Sequence, residues 1–227
     1  MSFARRDRCP SAFTLIELLA VMAILAILAT IGLGAIQGAQ RRAAIARTKS
    51  DLAALSTALA DYRRAYGDYP QLGEFAQASA TPASTATGPG LTTAQAKLFN
   101  CLTGVFGPSA FTNDDRLSGP NFLDVGKFSL NGTLTAATFL VPTANAPKPP
   151  FKQEQNVCLL DPWGHRYLYY YKSAKNTAAW QAASYVLYSA GATVAASGAQ
   201  TPPINPTTGV FLATQSTETA DNLYANP

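Results

Sequence analysis

The stretch from Ser11 to Gly38, SAFTLIELLAVMAILAILATIGLGAIQG, limits what this chain can fold into more than any other part of it. It is compatible with lipid along its length and carries one charge, the carboxylate of Glu17, near its front. From Leu18 to Ile36 there are 19 residues without a charge. As a helix they would run about 28 Å, close to the ~30 Å hydrocarbon core of a bilayer. Such a run is long enough to span. A charge held in hydrocarbon is costly, so Glu17 needs a purpose.

Three readings compete for this run: a plain membrane anchor, a secretory signal peptide, and a segment that uses its acid. A signal peptide has an apolar core of about 7 to 15 residues followed by a small-residue cut site, a place Gly38-Ala39 could fill. The run here is longer than that. Basic residues flank it on both sides, Arg5, Arg6 and Arg8 before it and Arg41, Arg42, Arg47 and Lys49 after it, so charge bias does not orient the span. Only 13% of the 227 residues are charged, and the net +4 comes from a shortage of acids. No Lys/Arg stripe interleaved with aromatics occurs, so nucleic acid is not an expected partner. Beyond the first forty residues the chain suffices for one modest globular domain with a helix attached.

Past the apolar run, Ile45, Leu52, Leu55, Leu59, Tyr62 and Tyr66 recur at helical spacing on one face, with Asp51, Asp61, Arg63 and Arg64 elsewhere around the axis. One continuous helix from Phe13 to Tyr66 is expected, its stripe packed against the chain's own domain rather than in a coiled coil, whose heptads are not sustained. Gly67 ends the helix and Tyr69-Pro70 forbids its continuation. The segment ASATPASTATGPG, residues 78–90, reads as an exposed loop. A short helix is expected to start at Thr92 or Thr93, with Leu98, Leu102 and Phe106 on one face. KFSLNGTLTAATFLV reads as a hairpin about Asn131-Gly132, and RYLYYYK and SYVLYSA as strands. The fold class is α+β, a long N-terminal helix packed on a small antiparallel sheet.

A short basic leader ending in Ala12, then Phe13-Thr14-Leu15-Ile16-Glu17-Leu18-Leu19 and an unbroken apolar helix, resembles the processing and methylation signal of type IV prepilins and type II secretion pseudopilins. The resemblance implies a pilin-like fold and cleavage by prepilin peptidase between Ala12 and Phe13, with methylation of the new amine. It also implies assembly through Glu17 and Thr14. Ala12 stands where the family has Gly, and Gly34 where many members have Pro. DPWGHRYLYYY, residues 161–171, followed by YVLYSAG, is similar to the terminal sheet of major pseudopilins, which the turn Asp161-Pro162-Trp163-Gly164 enters.

The implied organisation is a leader over 1–12, a transmembrane and assembly helix over 13–38, its amphipathic half over 39–66, and a globular domain over 67–227 with an unmatched insertion at 78–150. The implied protein is a structural subunit anchored once in the inner membrane, with its C-terminal domain in the periplasm. Its implied partners are other copies of itself, prepilin peptidase, an inner-membrane assembly platform and minor pseudopilins, and it forms a periplasmic fibre. A true pilin for adhesion, motility or DNA uptake is the nearest alternative. A membrane-anchored domain that never polymerises is the other.

No catalytic constellation is legible. His165, the one histidine, has no second histidine at ligand spacing and reads as a surface or capping residue. No Walker, Gly-x-Ser-x-Gly or His-Glu-x-x-His pattern occurs, and no enzyme is expected. Gly34 and Gly38 form a Gly-x-x-x-Gly pair that permits close helix contact, or ordinary small-residue tolerance. Asn131-Gly132-Thr133 fits the glycosylation pattern, but a turn accounts for it. The turn at 161–164 reads as structural, with Asp capping, Pro fixing φ, Gly at positive φ and Trp filling core. Cys9 would leave with the leader, so Cys101 and Cys158 are either a disulfide or two buried thiols. Major pseudopilins bind calcium in the loop after the last strand. Here Ala192-Thr193-Val194 stands at the expected acidic place and Asp221 is the one remaining match, where a hard cation wants several oxygens. No other cofactor is expected.

Overall fold

The computed structural model describes residues 14–77, 80, 88–112, 115–135, 139–140, 150–193, 202–213 and 221–225; for 29, 31–37 and 139–140 it describes the backbone alone. The chain divides into two compact units, Met1–Ala43 and Ala44–Pro227. Helix α1, Leu15–Tyr66, contributes to both.

In the second unit α1 buries Thr48, Asp51, Leu52, Leu55, Ala58, Leu59 and Tyr62. Ile45 and Tyr66 are half-buried on its flanks. The hydrophobic stripe expected from sequence is therefore the core face. Asp51 is a correction: expected away from that face, it is buried and accepts a hydrogen bond from the Tyr167 hydroxyl at 3.0 Å. It adjoins Leu52 along the chain and leads Leu55 by one turn, and the tyrosine supplies the donor that makes its burial tolerable. Burial pushes its carboxyl up, against the Tyr167 bond and the charge of Arg47. The helix stops as expected. Gly67 takes φ +86° and its N–H donates to Arg63 O at 2.7 Å, a left-handed close that a side chain would resist.

Helix α2, Ala94–Leu102, is capped by Thr93, whose hydroxyl accepts from Ala96 N. The expected apolar face is buried, but so is every other residue of α2, including Lys97 and Asn100. These polar groups are answered individually. Asn100 Nδ2 donates to Ala96 O and Gln155 O, and its Oδ1 accepts from Gln155 N, all at 2.8 Å. The expectation that 78–90 is an exposed loop also needs correction, because Ala80 and Gly88 are buried. Residues 94–128 of the 78–150 segment put Leu98, Phe99, Leu102, Phe106, Phe111, Leu123 and Phe128 into the main core.

The strands are β1 Ser129–Asn131, β2 Phe139–Leu140, β3 Phe151–Lys152, β4 Cys158–Leu160, β5 Leu168–Tyr170, β6 Val186–Ser189 and β7 Leu223–Tyr224. All pairings are antiparallel, in the sheets β1-β4, β2-β3 and β5-β6-β7. The hairpin expected about Asn131-Gly132 does not form. Gly132 does turn the chain, at φ +103°, but β1 pairs with β4 and β2 with β3. Every residue of β4 is buried, so its backbone must find a ladder partner inside the fold, and β1 provides one. The turn is local while the pairing is not. RYLYYYK and SYVLYSA do supply strands, β5 and β6, that pair with each other.

Alternation along β5 separates two apolar layers. Tyr167, Tyr169 and Tyr171 enter the main core with Leu55, Leu59 and Tyr62 of α1, whereas Leu168 and Tyr170 join Tyr188, Ala190, Ile204 and Ala80 in a second. Tyrosine hydroxyls of the main layer find acceptors. Tyr62 donates to Phe106 O at 3.0 Å, Tyr169 to Pro70 O at 2.9 Å and Tyr171 to Asp68 Oδ1 at 2.9 Å.

Asp68 is a hub just past the end of α1. Burial pushes its carboxyl up, but bonds from Lys172, the Tyr69 N–H, Tyr171 and Gln71 outweigh that and hold it below the ordinary 3.8. A depressed carboxyl stabilises the fold above its unfolded value, and that contribution is lost as pH falls through the folded one. Asp68→Asn should therefore melt below wild type above about pH 4. The gap should close as both are acidified further, when melting temperature is followed against pH.

Candidate functional site

The N-terminal segment is built around a reciprocal cap. Thr14 N and Oγ1 donate to Glu17 Oε2 at 3.0 and 2.9 Å, and Glu17 N donates back to Thr14 Oγ1 at 3.3 Å. This is the Thr-x-x-Glu capping box, which satisfies orphan N–H groups at the start of α1. The pattern is legible in the sequence as a helix start, a use of Glu17 separate from the assembly role expected of it. A carboxylate has about four acceptor positions, so the box leaves Glu17 capacity for another donor. Ala12 and Phe13, the expected processing pair, lie outside the described residues.

Behind the cap, Leu15, Ile16, Leu18, Leu19, Val21, Met22, Ile24, Leu25, Ile27 and Leu28 are all exposed, Leu15 by 81% and the least, Val21, by 50%. A helix apolar on every side requires a cover of lipid or of other helices. Gly38 is exposed, and a Cβ there would meet nothing within 4 Å. Nothing among the described residues of the single chain requires it to be glycine. The side-chain surroundings of Gly34 lie outside the described residues. Among the described residues no helix is long and apolar enough to cross a membrane. The run expected to span, Leu18 to Ile36, includes positions 29 and 31–36, where the backbone alone is described.

The turn before β5 is structural in its detail. Asp161 Oδ1 accepts from Trp163 N at 3.0 Å and His165 N at 2.8 Å, and Oδ2 accepts from Ser189 Oγ of β6 at 2.6 Å. Gly164, at φ +82°, donates its N–H to Asp161 O at 3.0 Å. Burial pushes the Asp161 carboxyl up against those bonds. Pro162 is exposed. Trp163 corrects the expectation that it fills the core: it is half-buried and belongs to neither apolar layer. His165 Nδ1 lies 2.7 Å from Gly191 O, which ties the turn to the end of β6.

Cys101 and Cys158 are both buried free thiols, so the disulfide left open by the sequence is not made. Each has its own neighbour. Cys101 on α2 lies beside Tyr62, and Cys158 Sγ in β4 lies 3.9 Å from Asn131 Oδ1. Burial pushes the Cys158 thiol up to about 12, partly opposed by Arg166. Asn131 itself is buried, which removes it as a surface acceptor for sugar.

Asp221 Oδ2 accepts from Thr193 Oγ1 at 2.6 Å, so the loop after β6 does reach this acid. Among the described residues no group of three or more His, Cys, Asp or Glu gathers.

No curated protein and no solved structure matches the chain. Residues 8–33, which hold Ala12, Phe13, Thr14, Glu17 and the front of α1, do match the prokaryotic N-terminal methylation motif, and the chain is type IV prepilin-like in that segment.

Proposed function

We propose that this chain is a structural pseudopilin of a type II secretion-like system. Prepilin peptidase trims it between Ala12 and Phe13. It sits once in the inner membrane with its C-terminal domain in the periplasm, and it polymerises through α1 with further copies, on an inner-membrane platform and beside minor pseudopilins. The observation that carries this reading is the coincidence of the methylation motif with a helix whose apolar residues are exposed on every side behind a single capping acid. Lipid covers such a helix before assembly and neighbouring helices cover it afterwards. The chain's role is mechanical and not enzymatic.

The turn at Asp161–Gly164, tied by Ser189 and Gly191 to β6 of the three-stranded sheet, favours a pseudopilin over a pilin by its likeness to the pseudopilin terminal sheet. A true pilin is the second reading. Electron microscopy separates the two, since filaments reaching beyond the cell envelope would replace the pseudopilin assignment.

Mass spectrometry of the mature N-terminus tests the processing step. The expected product starts at Phe13 with a methylated amine. A start at Gln40 would mean a secreted soluble domain, and an intact Met1 a simple anchor. We also propose that the fold stands without calcium, because Asp221 belongs to no group of three or more His, Cys, Asp or Glu among the described residues. Its melting temperature should be unmoved by excess chelator, and a clear fall would require a site.

A further inference from the structure

A cavity of about 280 Å³ lies beside the end of α2, lined by apolar Phe99, Val105, Val125 and Leu134 and by one charged side chain, Lys152 of β3. The chain positions that ammonium by a tight crossing. Gly119 N donates to Gly104 O at 2.8 Å, and a Cβ on Gly104 would come within 2.4 Å of Gly119 O, so the two segments meet only because Gly104 has no side chain. The crossing makes two carbonyls converge. Lys152 Nζ donates to Thr103 O and Gly119 O, both at 2.7 Å.

An ammonium has three donors, and this one spends two on neutral carbonyls. Among the described residues no carboxylate lines the cavity. The C-terminal end of a helix offers only a partial negative charge, so the lysine has no full counter-charge there. Burial pushes the Lys152 amine down, as expected for a cation without a counter-ion. A chamber with an apolar wall, neutral polar side chains beside it, one fixed cation and one spare donor selects a ligand of matching form.

We propose that this cavity binds a small apolar carboxylate, with its body against Phe99, Val105, Val125 and Leu134 and its carboxylate on Lys152. The site is independent of the fibre-forming role. The acid can be a free small molecule or the C-terminus of a short apolar peptide, since the chemistry is the same.

The test uses the full chain in detergent, with melting temperature and saturation-transfer NMR as readouts and 3-phenylpropionate as the probe. At about 20 times its dissociation constant the probe should raise the melting temperature by about 4 °C. 3-Phenylpropan-1-ol and 3-phenylpropylammonium should not. Lys152→Met should abolish the shift and the NMR transfer, and Leu134→Trp, which fills the half-exposed mouth and leaves the lysine in place, should abolish them too. If Lys152→Met does not fold, Leu134→Trp and the two uncharged or cationic analogues still decide. Equal shifts from acid and alcohol, a shift retained in either variant, or no shift would each overturn the proposal. A tetrapeptide ending in Phe, run against its C-terminal amide, assigns the source: binding by the free acid alone means a peptide terminus fits, and binding by 3-phenylpropionate without it restricts the site to small molecules.

Discussion

Glu17→Ala is expected to give subunits that enter the membrane and are trimmed at Ala12 but do not assemble. If Phe13 becomes the first residue, its new amine is a cation at the edge of the same apolar layer that holds Glu17. A cation and a carboxylate are each costly in hydrocarbon alone and much less so when paired and hydrogen-bonded, so the acid of one subunit answering the amine of its neighbour favours addition in a fixed axial register. The capping box supplies the competing account, in which Glu17 merely secures the helix start.

Two further variants part these accounts. Glu17→Gln keeps a residue that serves in a capping box but removes the charge, and it should fail as Glu17→Ala does. Thr14→Ala breaks the box and keeps the charge; if the Glu17 charge carries assembly without the Thr14 hydroxyl, it should assemble far better than either. Pelleting of fibres, with cleavage confirmed by mass, is the measurement. Normal assembly by Glu17→Ala would sink the pairing account, and normal assembly by Glu17→Gln together with failure of Thr14→Ala would leave capping as the whole role.

The largest stability effect should come from an ion pair in the core. Lys97 Nζ of α2 lies 2.5 Å from Glu154 Oε1, with the two side chains only 7% and 9% exposed. The ammonium also donates to Phe111 O at 3.1 Å and sits over the Phe106 ring, 4.6 Å from its centroid. Removing one partner leaves the other charge buried and unanswered, a loss of about 3–5 kcal/mol. Lys97→Met should therefore lower the unfolding free energy by about that much in urea titrations. The double variant Lys97→Met with Glu154→Leu should recover most of the loss, since a well-packed apolar pair is often no worse than a buried ion pair. Losses that simply add would show that the two groups are not coupled.

Most of α1 was legible because its causes are local. The uncharged run, the stripe from Ile45 to Tyr66 and the stop at Gly67 follow from helical spacing and from residues that act on their own neighbours. The same holds for Thr93 as a cap and for the turn at Asp161–Gly164, where one carboxylate answers N–H groups two and four residues on. The capping box at Thr14 and Glu17 was equally readable. The N-terminal motif sits at the same level, since a peptidase reads a short linear segment.

Tertiary structure alone decided which distant groups meet. Asp51 is expected off the core face, and nothing near Lys97 in sequence marks it for burial; both are buried because Tyr167 and Glu154, 116 and 57 residues away along the chain, supply their partners. Asn131-Gly132 promises a hairpin, yet β1 crosses to β4 because a fully buried strand must have its backbone paired and a tight turn stabilises only its own few residues. Cys101 and Cys158 remain thiols because α2 turns one toward Tyr62 while β4 holds the other beside Asn131. Periodicity and caps act within a few residues and are written in the sequence. The burial of a charge depends on a partner brought from elsewhere in the chain, and only the folded core selects it.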